Sequence, residues 1–368
     1  MSTPYTGPEL IAPRPPPTAR AGALGWLRTR LFATPLHAIL TILTAWILLL
    51  AVPVLIDYFF LKPDFAASTA AGCRENGGYC WALVREKHRL ILFGLYPYDE
   101  QWRPLLASVI LVGIVIGSCI RRFWHPLLAL AWLAALAAVA VLMWGGVLGL
   151  TYVEDSRWGG LPLTLILATF GIGMAFPFGV LLALGRRSNM PAIKAVCVVY
   201  IELIRGVPLI SLLFMSSVML PLFLPEGVSI DKLLRAQIAL ILFTAAYVAE
   251  VVRGGLQSIP RGQYEGADSL GLSYWQRMRK VILPQALKVV IPPLVSTFIS
   301  LFKDTSLVVI IGIFDLMQAS RAAVLDPGWQ GFSIDSYLFI AAIYFVFCFS
   351  MSRYSVTLER RFDQAQQR

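Results

Sequence analysis

The sequence predicts an all-α polytopic membrane protein with eight transmembrane helices. Hydrophobic residues make up 58% of the 368-residue chain. Charged residues contribute only 14%, against about 25% in soluble domains. The apolar residues are also grouped into segments close to the length of about 20 residues that a helix needs to cross a bilayer. Together these observations exclude a soluble globular domain.

Eight apolar segments follow one another along the chain. In chain order, the predicted spans are 38–60, 104–120, 126–145, 161–184, one within 208–224, 233–252, 286–302 and 336–353. A semi-polar helix starting at Ala192 is expected directly ahead of the fifth span. The chain is therefore expected to consist mainly of membrane-crossing helices joined by polar loops.

The composition of the chain changes near Gly159. Residues 1–36 are polar, basic and rich in proline, which predicts a disordered tail. The accessory region 37–158 holds three plain apolar spans. The spans of region 159–368 carry Gly, Pro, Ser, Thr and isolated charges, and polar groups inside a membrane usually face an interior path or a partner helix. We therefore expect a working five-helix core at 159–368, with a polar loop at 254–284.

The distribution of Lys and Arg predicts the orientation. With the N-terminus inside, most of the 31 Lys and Arg residues fall in the tail, the inner loops and the C-terminal segment. Cytoplasmic loops carry such an excess, and long loops such as 61–103 count less in this rule. Both termini and the 254–284 loop are therefore expected in the cytoplasm, and the net charge of +10 needs no nucleic-acid partner.

The long outer loop 61–103 contains Cys73 and Cys80, which bracket a Gly-Gly turn. On the oxidising side of a membrane this arrangement predicts a disulfide, with two unpaired thiols as the alternative. The three histidines are far apart in sequence, so we expect no metal site.

The 254–284 loop carries helix signals of its own. Ser258 followed by Pro260 predicts a helix start. A short helix is expected over 263–270, and Gly271 is suited to end it in a left-handed conformation. Such a helix with an aromatic residue and a few charges suits a groove in a partner protein. A plain interfacial loop is the alternative.

A second helix is predicted directly after this break. Ser273 and Gln276 have the spacing of a capping box. The helix would cover 275–282, carry a basic face at the headgroup level, and meet Pro284 at the start of the next span.

The loop resembles the EAA loop of bacterial ABC-importer permeases, whose pattern is E-A-A-x3-G-x9-I-x-L-P. Here the pattern reads Glu265-Gly266-Ala267-x3-Gly271, then nine residues, then VILP at 281–284. The chain departs from it at Gly266, where alanine is usual, and at Val281, where isoleucine is. In a helix, Gly266 should cost about 1 kcal/mol relative to alanine.

Three further stretches are similar to signatures of the polar amino-acid permeases within that family. They are 200–209 (YIELIRGVPL), 246–263 (AYVAEVVRGGLQSIPRGQ) and 303–308 (KDTSLV). The extra N-terminal spans resemble the longer permease of general L-amino-acid importers (AapM/BztC type). The resemblance covers most of residues 161–353.

This resemblance implies the fold and partners of an ABC type I importer in the bacterial inner (plasma) membrane. The core would form the translocation path with a second permease chain, and the subgroup favours a heterodimer. Two cytoplasmic ATPases would bind ATP, and a periplasmic protein would deliver the amino acid. We expect no cofactor in this chain and no enzyme activity, because it lacks the G-x4-G-K-[ST] phosphate loop. The residues implied in coupling to the ATPase are Tyr264, Glu265, Gly266, Ala267, Asp268, Ser269, Leu270 and Gly271.

Charged residues of the core are candidates for the substrate path. Glu202 and Arg205, like Glu250 and Arg253, are spaced for ion pairs within one helix. A role in a gate or in the path is the alternative for these pairs. An amino-acid zwitterion needs a donor site and an acidic site, which Lys303 and Asp304 at the end of an apolar run could help supply. The alternative is that these two residues form a pair that satisfies both charges. The candidate path residues are Glu202, Arg205, Glu250, Lys303, Asp304, Thr305 and Ser306.

Two other functional classes compete with the permease hypothesis. A secondary transporter or channel driven by an ion gradient would have no need of a coupling helix in the 254–284 loop. A membrane-embedded enzyme is disfavoured because G-x-S-x-G and H-E-x-x-H motifs are missing.

Overall fold

The computed structural model describes residues 23–63, 65, 69–225 and 227–366, and the regular elements of these residues are all helices. They form two compact units, one ending at Ala82 and the other beginning at Leu83. The α-helices are α1 Ala23–Arg30, α2 Pro35–Ile56, α3 Ala70–Asn76, α4 Trp81–Phe93, α5 Trp102–Cys119, α6 Leu127–Trp144, α7 Gly160–Arg186, α8 Pro191–Gly206, α9 Leu209–Phe214, α10 Lys232–Ser258, α11 Arg261–Ser269, α12 Tyr274–Arg277, α13 Leu283–Val289, α14 Ile291–Asp304, α15 Leu316–Leu325 and α16 Ser333–Gln366.

The first unit contains a long apolar helix, α2. The predicted disordered tail is wrong for residues 23–30, which form α1, and residues 1–22 lie outside the described part. Thr34 caps α2 by accepting a hydrogen bond from the His37 amide, as a residue with a side-chain oxygen does at this position. The helix α2 contains no buried residue. Its apolar surface is therefore available to lipid.

Cys73 and Cys80 are joined by a disulfide in this first unit. Cys73 lies in α3, and Gly77 ends that helix with a φ of 65°, in the left-handed region. The chain then turns back so that the two cysteines meet, and both are buried.

Within the described part of the chain, seven helical segments are long and apolar enough to cross a membrane. They are Pro35–Leu61, Tyr98–Cys119, Leu127–Trp144, Gly160–Arg186, Lys232–Ser258, Ile291–Ile311 and Ser333–Arg361. The fifth predicted span is different, because Pro191–Gly206 and Leu209–Phe223 meet at an angle of 103°. Pro208 lies between the two helices. A proline has no backbone N–H to donate to the hydrogen bonds of a helix, so the first helix ends before it. The count is eight spans only if this bent pair crosses the membrane as one.

The seventh predicted span is displaced along the chain. A helix break at Val290 separates α13 from α14, and Pro292 and Pro293 follow it. Prolines fit the first turn of a helix but not its interior, so the helix restarts here. The span then continues through a 3-10 segment, Thr305–Ile311. Our prediction of 286–302 was therefore wrong at both ends, and Lys303 lies inside the span.

The second unit has one continuous packing arrangement. Ala107 of α5 and Met143 of α6 belong to the same buried cluster as Leu165 of α7. The change of composition near Gly159 is therefore not a break in packing. At that point Gly160 has a φ of 65°, and a Cβ there would lie 2.2 Å from the Leu92 carbonyl oxygen.

The central helices of this unit, α7 and α10, lie very close together. A Cβ added at Gly179 of α7 would lie 2.5 Å from a methyl carbon of Val248 in α10. Small residues permit such close approach of membrane helices. The pair forms the scaffold on which the loop and the charged groups described below are held.

Candidate functional site

The polar loop begins with a sharp turn between two helices. The helix α10 ends at Ser258, whose hydroxyl donates a hydrogen bond back to the Gly255 carbonyl. Pro260, not Ser258, precedes the first residue of α11. Our assignment of Ser258 as the helix-start residue was wrong, because a hydroxyl that bonds back to α10 does not cap the next helix.

The helix α11 is held against the bundle by its inner face. Ala267 is buried, and the Tyr264 hydroxyl donates a hydrogen bond of 3.0 Å to the Leu256 carbonyl of α10. Asp268 forms an ion pair with Arg277 of α12. The orientation of α11 is therefore set by contacts from both neighbouring helices.

Gly271 ends this segment with a φ of 70°, in the left-handed region. The Leu272 amide donates to the Ala267 carbonyl, which satisfies a group that the helix end leaves unpaired. The second helix begins at once, with a capping box between Ser273 and Gln276. A π-helical turn, Met278–Ile282, then joins α12 to α13.

The outer face of α11 is exposed and has few contacts. Glu265, Gly266 and Ser269 are exposed, and Leu270 is 78% exposed although it is apolar. A Cβ added at Gly266 would meet no atom within 4 Å. The loop thus presents a short, positioned helix with two exposed acidic residues, Glu265 and Asp268, followed by the large apolar side chain of Leu270.

A cluster of charged side chains lies where α7, α8 and α10 approach one another. Glu250 accepts hydrogen bonds from Arg253 of its own helix, the shortest at 2.8 Å. Its carboxylate also forms ion pairs with Arg186 of α7 at 2.9 Å and with Arg205 of α8 at 3.6 Å. Glu202 pairs with Arg186 at 2.8 Å. Of the two predicted intrahelical pairs, Glu250 with Arg253 is present. The other is wrong, because Arg186 reaches between α8 and α10 and supplies the partner of Glu202.

A cavity of about 320 Å³ lies between α10 and α14. Asp304 is the carboxylate in its lining. The cavity is lined by Phe243, Thr244, Tyr247, Ser296, Thr297, Ser300, Leu301 and Asp304. A pocket of this size, with hydroxyl groups and one acid converging on it, suits a small polar ligand.

The structure separates the four candidates at the end of α14. Only Asp304 lines the cavity, whereas Lys303 is exposed. Thr305 is buried and donates its hydroxyl proton to the Phe302 carbonyl, and Ser306 donates to the Lys303 carbonyl. The hydroxyl groups of Thr305 and Ser306 are thus used within the helix.

Sequence reasoning missed the remaining polar residues of the cavity. Ser296, Ser300 and Asp304 recur every four residues and so share one face of α14. This spacing was visible in the sequence. The contributions of Thr244 and Tyr247 were not, because they depend on the packing of α10 against α14.

The chain matches the family model described as a binding-protein-dependent transport system inner membrane component, over residues 175–364. It is 51% identical to the inner membrane amino-acid ABC transporter permease protein YhdY of Escherichia coli (strain K12), across 95% of this chain and 96% of that protein. It is 38% identical to the glutamate/glutamine/aspartate/asparagine transport system permease protein BztC of Rhodobacter capsulatus, across 98% of both. Among solved structures, it is similar to an amino acid ABC transporter crystallised with histidines, at 35% identity, 54% of this chain, 90% of that chain and a TM-score of 0.49.

The family match covers the polar loop, the charged cluster and the cavity, and the relatives extend the similarity over nearly the whole chain. The chain belongs to the binding-protein-dependent transport system inner membrane component family, as a multi-pass permease.

Proposed function

We propose that this chain is the permease subunit of an ABC importer for L-amino acids. The membership of the family supports the permease role, and the names of YhdY and BztC support the substrate class. Family membership also disfavours the alternative of a carrier or channel driven by an ion gradient. The chain would form the path, and ATP would be bound by its partner ATPases.

The observation that carries the coupling role is the exposed face of α11. Glu265, Gly266 and Ser269 are exposed on α11, which Ala267 anchors to the bundle, and the apolar Leu270 is exposed directly after the last residue of the helix. A helix that is anchored on one side moves as a rigid body when a bound partner moves, whereas a loose loop deforms instead. We assign this face to a groove of the cytoplasmic ATPase, with Leu270 as its apolar anchor.

The cavity between α10 and α14 is our proposed amino-acid site. The Asp304 carboxylate would accept hydrogen bonds from the α-ammonium group, since charge-assisted bonds of this kind are the stronger ones. The hydroxyls of Thr244, Tyr247 and Ser300 would bind the rest of the zwitterion. The other candidates, Glu202, Arg205 and Glu250, would then lie at the inner end of the path. Lys303, Thr305 and Ser306 would have supporting positions.

The proposed topology follows from the charge distribution. Both termini and the loop that carries α11 would be cytoplasmic, and the disulfide between Cys73 and Cys80 would be in the periplasm. The working complex would contain a second, different permease chain, two ATPases and a periplasmic amino-acid-binding protein. We propose the accessory region 37–158 as an addition to the permease core 159–368.

The test is purification of the complex with its ATPase and second permease, followed by uptake measurements in liposomes. We expect uptake of labelled amino acids that requires ATP and the binding protein, with competition by unlabelled L-amino acids to define the range. Uptake that is driven by an ion gradient without ATP would refute the importer and support the carrier.

A further inference from the structure

We propose that the adjacent arginines Arg186 and Arg187, together with Glu250, form a relay between α11 and the cavity. This inference rests on the proposed function and names the residues through which movement of α11 would open or close the inner end of the path. It is carried by a continuous series of contacts that the family assignment does not describe.

The first step of the relay is at the end of α7. Arg187 lies over the ring of Tyr264 in α11, with its guanidinium carbon 5.8 Å from the ring centroid, and it donates a hydrogen bond of 3.4 Å to the hydroxyl. Arg186, the preceding residue, pairs with Glu250 of α10 and Glu202 of α8. One short segment of backbone therefore touches α11 on one side and the charged cluster on the other.

The second step is the position of Glu250. Its side chain is only 14% exposed, and arginines from two other helices converge on it. Breaking an ion pair that is partly buried costs more than breaking an exposed one, so the contacts of Arg186 and Arg205 with Glu250 favour one arrangement of α7, α8 and α10.

The third step reaches the cavity. Arg205, which also pairs with Glu250, has its guanidinium carbon 5.4 Å from the ring centroid of Tyr247. Tyr247 lines the cavity in which we place the amino acid. A displacement of α11 that moves Arg187 must act on Arg186, and through Glu250 and Arg205 it reaches the wall of the cavity.

Contacts alone do not demonstrate coupling, so the test compares two arginines that both bind Glu250. Arg186 joins α7 to α10, whereas Arg253 is on the same helix as Glu250 and makes its hydrogen bonds within that helix, to Glu250 and Gln257. The complete complex is reconstituted in liposomes with the binding protein, and the amino acid imported per ATP hydrolysed is measured for Arg186→Gln and Arg253→Gln.

We expect Arg186→Gln to lower this ratio by roughly tenfold, a typical size for coupling between sites. The ATPase should still co-purify with Arg186→Gln and hydrolyse ATP. The ratio for Arg253→Gln should stay near that of wild type. Arg186→Lys, which keeps the positive charge, should retain most of the wild-type ratio. Equal ratios for the two glutamine variants would overturn the relay, because simple loss of positive charge would then explain the effect.

Arg187→Gln tests the other end with little risk of misfolding, since Arg187 is exposed. We expect this variant also to import less amino acid per ATP hydrolysed. For the double variant with Arg186→Gln, the decrease in this ratio should be smaller than the product of the two single decreases. Independent, multiplicative effects would overturn the relay. Lack of ATP-dependent uptake by the wild-type complex would instead refute the proposed function itself.

Discussion

Asp315 accepts a hydrogen bond of 3.0 Å from the Gln318 amide while its carboxylate is completely buried. It caps α15, and it accepts a second hydrogen bond from the Met317 amide at 3.1 Å. Capping favours the ionised carboxylate, but burial opposes it more strongly and raises the pKa of Asp315 to about 7. The residue lies between the spans Ile291–Ile311 and Ser333–Arg361.

This relationship predicts a pH-dependent stability. The pKa of Asp315 is raised on folding, so its favourable contribution is complete below the unfolded value of about 3.9 and is lost as the pH rises through about 7. We expect the melting temperature of the purified protein to fall between about pH 4 and about pH 7.

The matched variant is Asp315→Asn, which still caps the helix but cannot ionise. Its melting temperature should depend less on pH across the same range, as measured by thermal unfolding in detergent. The carboxyls of Glu86 and Asp326 do not disturb the comparison, because hydrogen bonds, to Trp329 and Lys87 respectively, lower their pKa values. An identical pH profile for both proteins would contradict the assignment.

The close approach of α7 and α10 predicts opposite outcomes for two glycines. Gly179→Ala would place a Cβ 2.5 Å from Val248, so we expect destabilisation by about 1–3 kcal/mol. Gly173→Ala, on the same helix, meets no atom within 4 Å and should gain up to about 1 kcal/mol from helix propensity. Denaturant unfolding in mixed micelles measures both. Equal stabilities would show that the two helices do not pack as described.

The exposed face of α11 predicts loss of coupling without loss of folding. Glu265→Lys and Leu270→Asp alter side chains that are exposed. We expect correctly inserted protein, loss of ATPase co-purification and loss of uptake. The control is Gly266→Ala, which has room for its methyl group. Normal uptake by Glu265→Lys and Leu270→Asp together would exclude this face as the coupling surface.

The two neighbouring candidates in α14 are expected to differ. Asp304→Asn keeps the shape of a cavity-lining residue but removes its charge, so the affinity for the amino acid should fall by roughly tenfold or more. Lys303→Gln changes an exposed side chain and should leave the affinity nearly unchanged. Concentration-dependent uptake in liposomes gives both values. A larger loss for Lys303→Gln would reverse our assignment of the site.

Much of the architecture could be predicted because a bilayer imposes simple rules on a sequence. A span needs a long apolar segment, so most of the membrane helices could be recognised from composition alone. The turn at Gly271 could also be predicted from the sequence, because only residues that tolerate a left-handed backbone end a helix in this way. The capping box of Ser273 and Gln276 could be predicted as well, because it depends on two residues that are three positions apart.

Other features were decided by tertiary structure. The sequence placed Glu202 three residues before Arg205, yet Arg186 from another helix pairs with Glu202. The partner of a long charged side chain depends on which helices meet, and α7 brings Arg186 between α8 and α10. The cavity depends on packing in the same way. The packing of α10 against α14 places Asp304 in the lining of the cavity and leaves Lys303 exposed.

The sequence by itself therefore determined the class of protein, most of its spans and the helical loop at 254–284, because hydrophobicity, capping and backbone conformation act over a few neighbouring residues. Only the tertiary structure decided that Arg186 and Arg187 join this loop to Glu250, because ion pairs between helices depend on distances that no local pattern encodes.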